Sequence, residues 1–125
     1  MSQPINIRKA LKSFRYAGVG MYDLFRQENN AKIHLIAAAL IVIAGFWFNL
    51  SVTEWCIIII QVALVWSAEA FNTAIEKLAD TVTSDYHPSI KIVKDVAAAG
   101  VLILAISAVI VAAIIFFPKI WMCLN

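Results

Sequence analysis

The chain has 125 residues, 62% of them hydrophobic and only 14% charged, with a net charge of +2 and a mean hydropathy of +0.84. A soluble domain of this length carries roughly 25% charged residues. The balance therefore excludes an ordinary water-soluble enzyme and points to one small integral membrane domain over residues 1–125.

The opening "MSQPINIRKALKSFRYAG" is polar and basic and lacks the apolar core of a cleavable signal peptide. From about residue 5 to residue 27, Ile7, Leu11, Phe14, Leu24 and Phe25 recur at helical spacing, while Arg8, Lys12, Arg15 and Asp23 fall elsewhere. This predicts a basic amphipathic surface helix in the membrane interface, with a plain anchor as the alternative role. Gly18 and Gly20 weaken that helix, marking either a bend or the close approach of another group.

Three apolar segments follow. The first spans about 31–50 and carries no charge from Ile33 to Leu50 apart from a possible proton on His34. The second spans about 53–78, uncharged over 55–68 and continuing through "EAFNTAIEKL"; the third spans about 94–117, with an unbroken uncharged run over 96–117. A helix needs about 20 residues to cross a hydrocarbon core of about 30 Å. The predicted fold is thus an all-α membrane protein with three transmembrane helices and the N-terminal surface helix. Cys56 and Cys123 have no further Cys or paired His nearby, so inert thiols are expected, with a disulfide as the alternative.

Nine of the ten Lys and Arg lie before the first span or around the second connection; the 49–54 connection has none and only Lys119 follows the third span. The positive-inside rule then puts the N-terminus and the 77–95 connection in the cytoplasm. That connection, "ADTVTSDYHPSIKIVKD", is dense in hydrogen-bonding and titratable groups, although a solvated loop has the same look. Thr83, Ser84 and Asp85 are turn and capping types, and Pro88 suits the first turn of the next helix.

The chemistry gathers at the end of the second span, "SAEAFNTAIEKLAD". At 100° per residue, Glu69, Asn72, Thr73, Glu76 and Asp80 fall within an arc of about 100°, one stripe rather than a scatter. From a start near Thr53, Glu69 lies about 24 Å along the axis, near the edge of the hydrocarbon, and Glu76 about 10 Å further out. A partly desolvated Glu69 can take a proton from a hydroxyl at headgroup depth, and Glu76, nearer water, can help hold a hard divalent cation. Glu28, just upstream of the first span, can join Glu76 at such a cation if the two helices meet. The structural alternative is a stripe that satisfies itself by hydrogen bonding in an oligomer core, but a carboxylate in the membrane is costly and more often functional. His34 is expected to be a packing residue or headgroup contact rather than a metal ligand, and Gln61 to bond across a helix interface. No GxxxxGK[ST] loop, GxGxxG or HRD-type catalytic loop is present.

The segment "EAFNTAIEKLAD" resembles the signature of the prokaryotic diacylglycerol kinase and undecaprenol kinase family. "SDYHP" and "KDVAAAGVL" downstream and "SFRYAGVG" and "ENNAKIH" upstream are similar to its other segments, so the likeness runs from about residue 8 to residue 117. The resemblance implies a lipid kinase using ATP and Mg²⁺, a homotrimer with active sites at subunit interfaces, multi-pass in the bacterial cytoplasmic (inner) membrane with the N-terminus inside. By that likeness Glu69 matches the catalytic base and Glu28 and Glu76 the metal-binding carboxylates that border the nucleotide. Tyr16, Asp85, Tyr86, His87, Lys94 and Asp95 match positions contacting ATP, Asn72 a polar residue beside the base, and Arg8 or the adjacent Lys9 a basic contact to the lipid substrate. "ENNAKIHL" is more like the undecaprenol kinase branch, which favours undecaprenol as acceptor, with diacylglycerol as the alternative. No nucleic-acid partner is implied. A small proton-coupled transporter is the rival from another class; against it, the carboxylates sit at the end of the span rather than mid-membrane.

Overall fold

The computed structural model describes residues 5–125. Every regular element among them is a helix: α1 (Ile7–Gln27), α2 (Asn29–Trp47), α3 (Val52–Val82) and α4 (Pro88–Leu124). The last three are each long and apolar enough to cross a membrane, so the chain is an all-α integral membrane protein with three spans, as the sequence predicts. At 1.5 Å per residue, α3 is about 46 Å long and α4 about 55 Å, so both overshoot a hydrocarbon core of about 30 Å. The overshoot of α3 carries the polar residues after Asn72; that of α4 continues through Pro118.

Local chemistry fixes each reversal. Between α1 and α2 a single residue, Glu28, leaves helical geometry (φ −93°, ψ 123°) and serves as C-cap of one helix and N-cap of the next. Its N–H donates to the Leu24 carbonyl, and its own carbonyl accepts from Lys32. At the end of α2, the Leu50 N–H donates to Gly45 O and the Asn49 N–H to Phe46 O, with Asn49 in the left-handed region at φ 51°. These are the paired bonds of a Schellman ending, and Asn tolerates the left-handed position that most side chains avoid. The next helix starts at once with a capping box, Glu54 N–H to Ser51 Oγ and Ser51 N–H to Glu54 Oε2. Two tight signals back to back make α2 and α3 an antiparallel hairpin. After α3 ends at Thr83, His87 Nδ1 accepts from Ser89 N–H and Pro88 takes the first turn of α4.

α3 and α4 share the broadest interface, and α2 lies on α3. At the end of the bundle near the α2–α3 turn, Leu50, Ile58, Ile115 and Phe116 form the buried cluster. Gly45 lets α2 and α3 approach: a Cβ there would stand 2.6 Å from the Trp55 ring. Large apolar side chains such as Ile59, Ile103 and Ile114 stay exposed, as spans solvated by lipid require. α1 is exposed along most of its length and packs on the bundle only through its last turns, where Leu24 is buried and the Phe25 ring meets Trp66 edge-on at 5.0 Å. Cys56 and Cys123 are both free and exposed, so the disulfide alternative is not realised.

Candidate active site

Among the described residues the buried polar side chains all lie on one helix. Glu69, Asn72 and Thr73 of α3 are 2%, 5% and 7% exposed, among neighbours that are otherwise apolar or lipid-facing. Further along the stripe Glu76 is half-buried and Asp80 exposed, so burial falls steadily toward the end of α3. Glu69 Oε2 and Asn72 Oδ1 have no hydrogen-bond partner among the described residues, and neither has Gln61 Oε1, two turns deeper on the same helix. Burying a polar oxygen without a partner is costly. Three on one helix make this the least self-satisfied part of the molecule.

The neighbouring helices bring their polar groups to this stripe. From α2, His34 Nε2 stands 4.0 Å from Glu69 Oε2, too far for a hydrogen bond and close enough for attraction. Within α3, the Asn72 amide donates to Glu76 Oε1 at 3.3 Å. From the corner between α1 and α2, Glu28 Oε1 meets Lys77 Nζ at 3.3 Å, and the same ammonium donates to Gln27 Oε1 at 3.4 Å. Although Glu28 occupies a capping position, its side chain makes no cap bond to α2 and reaches across to α3 instead. From α4, Lys94 Nζ binds Asp80 Oδ1 at 2.6 Å. A groove of about 750 Å³ between α1 and α3, with Glu28, Thr73 and Lys77 on its wall, opens beside the stripe.

The structure thus gathers Glu28, Glu69, Asn72, Glu76 and Lys94 at one end of the bundle. It does not bring every sequence-predicted residue there. Tyr16 is 70% exposed on α1 and Tyr86 80% exposed in the α3–α4 connection. Asp85 is exposed and takes part through its N–H, which donates to Thr83 Oγ1; His87, also exposed, spends its Nδ1 on capping α4. Asp95 pairs with Lys91 one turn away. Arg8 and Lys9 stand at the start of α1, about 30 Å along the helix from Glu28. Two groups at the site were passed over in the sequence. Lys77 reads in the sequence as a charge flanking the second connection, and His34 as a packing residue or headgroup contact; only the meeting of separate helices reveals their carboxylate partners.

Among the described residues no three His, Cys, Asp or Glu side chains converge as a ready cation cage. Mg²⁺ keeps several waters and commonly binds through one or two carboxylates plus phosphate oxygens, so it does not require a full cage from the chain. Glu28 and Glu76 supply hard oxygens, both half-buried, on the watery side of Glu69.

Known proteins resemble this chain along most of its length. A family described as prokaryotic diacylglycerol kinase matches residues 15–116. An undecaprenol kinase of Bacillus subtilis is 39% identical over 113 residues, covering 90% of this chain and 92% of that protein. A diacylglycerol kinase of Synechocystis is 37% identical over 109 residues, 86% of this chain and 62% of the longer relative. A diacylglycerol kinase of Escherichia coli K12 is 34% identical over 102 residues, 82% of this chain and 84% of that one.

Proposed function

The chain belongs to the prokaryotic diacylglycerol kinase family of lipid kinases, and from that premise we propose that it transfers the γ-phosphate of ATP to undecaprenol at the cytoplasmic face of the membrane. The observation that carries the choice of acceptor is the match to an undecaprenol kinase over 92% of that protein's length. Diacylglycerol is the second reading, favoured by the relatives that bear that name.

In the proposed mechanism Glu69 is the general base. It accepts the proton of the acceptor hydroxyl while the hydroxyl oxygen forms a bond to the γ-phosphorus and the bond from that phosphorus to the bridging oxygen breaks, releasing ADP. Its burial and its unpartnered Oε2 support the role: the oxygen faces no competing donor until a substrate hydroxyl arrives. Asn72 holds Glu76 in place through its amide. Glu28 and Glu76 are the residues that would hold Mg²⁺, which when bound neutralises phosphate charge. Lys94, held by Asp80, is assigned to offset charge on the transferring group. The step of about 10 Å from Glu69 to Glu76 spans the gap between a hydroxyl at headgroup depth and a nucleotide in water.

Tyr16, Asp85, Tyr86, His87 and Asp95 are assigned to ATP, and Arg8 or Lys9 to the lipid. All of them are exposed in the single chain, which leaves them free to complete sites across the subunit boundaries of a homotrimer. The charge asymmetry of the connections supports an N-terminus on the inside. The test is a side-by-side assay of purified protein in mixed micelles with MgATP and either undecaprenol or diacylglycerol. A clear excess of kcat/KM for undecaprenol is expected; an excess for diacylglycerol reverses the acceptor, and transfer to neither sinks the proposal.

A further inference from the structure

His34 is the polar side chain that α2 offers to the buried carboxylate, and the proposed chemistry gives it no task. Its Nε2 stands 4.0 Å from Glu69 Oε2, too far for a direct hydrogen bond and too near for an atom to lie on the line between them. An oxygen set to one side of that line, about 2.8 Å from each, is at hydrogen-bond distance from both. Glu69 Oε2 is the carboxylate oxygen without a partner, so a hydroxyl in the gap would satisfy it. Below the pair, a cavity of about 350 Å³ lies between α2, α3 and α4. His34 and Gln61 are its polar lining groups, and Ala38, Ala105, Ala108 and Ala112 give it small apolar walls. Glu69 lies outside that lining, so His34 is the link between the carboxylate and the apolar cavity, which suits the hydrocarbon of an alcohol whose hydroxyl lies beside the two.

We propose that His34 is a substrate-positioning residue: its Nε2–H donates to the acceptor hydroxyl oxygen while that hydroxyl donates to Glu69 Oε2, with the adjoining hydrocarbon seated in the cavity between α2, α3 and α4. The arrangement requires the imidazole tautomer with hydrogen on Nε2. It rests on the assignment of Glu69 as base and adds what that assignment lacks, a second contact that fixes the direction of the hydroxyl lone pair before transfer. Because the contact is made to the lipid alcohol, His34 acts on acceptor kinetics and not on nucleotide kinetics.

The test uses the purified full chain in mixed micelles with MgATP and whichever alcohol the wild type phosphorylates, comparing H34A, H34Q and E69Q. With H34A, kcat/KM for the alcohol falls about tenfold, the scale of one lost hydrogen bond to substrate, while KM for ATP stays within about twofold. H34Q, whose amide still donates, recovers most of the loss. Three results overturn the proposal: H34A that leaves acceptor kinetics unchanged, H34A that raises KM for ATP by as much as it lowers kcat/KM for the alcohol, or H34Q no better than H34A. Should H34A fail to fold, H34Q against H34L makes the same comparison of donor with apolar side chain. E69Q separates the two layers. An active E69Q removes the base assignment itself, whereas an inactive E69Q beside an indifferent H34A removes only the role of His34.

Discussion

Glu54 and Glu69 stand on the same helix, fifteen residues and about 22 Å apart, and the structure treats them in opposite ways. Glu54 is partnered twice over: Oε2 accepts from Ser51 N–H at 2.7 Å and Oε1 meets Lys119 Nζ at 3.0 Å. Those contacts start α3 and tie it to the last turns of α4. Glu69 is almost wholly buried, with one oxygen unpartnered and a histidine held just beyond hydrogen-bond range. A carboxylate whose partners are all in place serves the fold. One that is buried and left incomplete is an energetic burden on the fold, retained because something else completes it.

The largest effect should come from the incomplete one. E69Q is expected to lower kinase turnover by about 100-fold or more, the scale of a lost general base. Its Tm should hold or rise, since an amide costs less to bury than a carboxylate without a full set of partners. Activity and thermal unfolding measured on the same preparation check this. A drop in Tm with activity retained would make Glu69 a second Glu54. E76Q should act less severely. It keeps an oxygen to accept from Asn72 but loses the charge, so the Mg²⁺ concentration for half-maximal activity should rise about tenfold, with much of the rate recovered at saturating Mg²⁺. An unchanged Mg²⁺ requirement would remove Glu76 from the metal site.

Much of the bundle is legible in the sequence because lipid makes a simple demand. A span must be long, apolar and helical; the runs at 33–50 and 96–117 come close to or meet that on composition alone, and 55–68 reaches it once the helix continues through the polar stripe. The stripe on α3 is legible for a related reason, since helical periodicity places Glu69, Asn72, Thr73 and Glu76 together without tertiary information. The contacts between helices are not legible. His34 and Glu69 are separated by a whole hairpin, and their meeting depends on the register set by the Asn49 turn and the close approach at Gly45. Lys77 could as well have pointed to water; it meets Glu28 because the chain bends sharply at that one residue between α1 and α2. The tie between Lys119 and Glu54 joins residues 65 positions apart, and no local pattern announces it.

The smallest effect on activity belongs to Glu54, and it tests the other side of the comparison. E54A removes the reciprocal half of the capping box and leaves the Lys119 ammonium, itself only 21% exposed, without its carboxylate. The Ser51 N–H loses its acceptor and the end of α4 beyond Pro118 loses its link to α3. Tm should fall by a few degrees, while activity per folded molecule stays within about twofold, because the site lies at the opposite end of the bundle. E54Q divides the loss into its parts, keeping an oxygen for the cap but not the charge for Lys119. If the ion pair contributes, wild type and E54Q should differ in Tm at low salt and converge as salt screens the pair, while E54A stays below both. A loss of kinase activity in E54A without a change in Tm would mean that the two ends of α3 are coupled, and the division between a structural and a chemical carboxylate would fail.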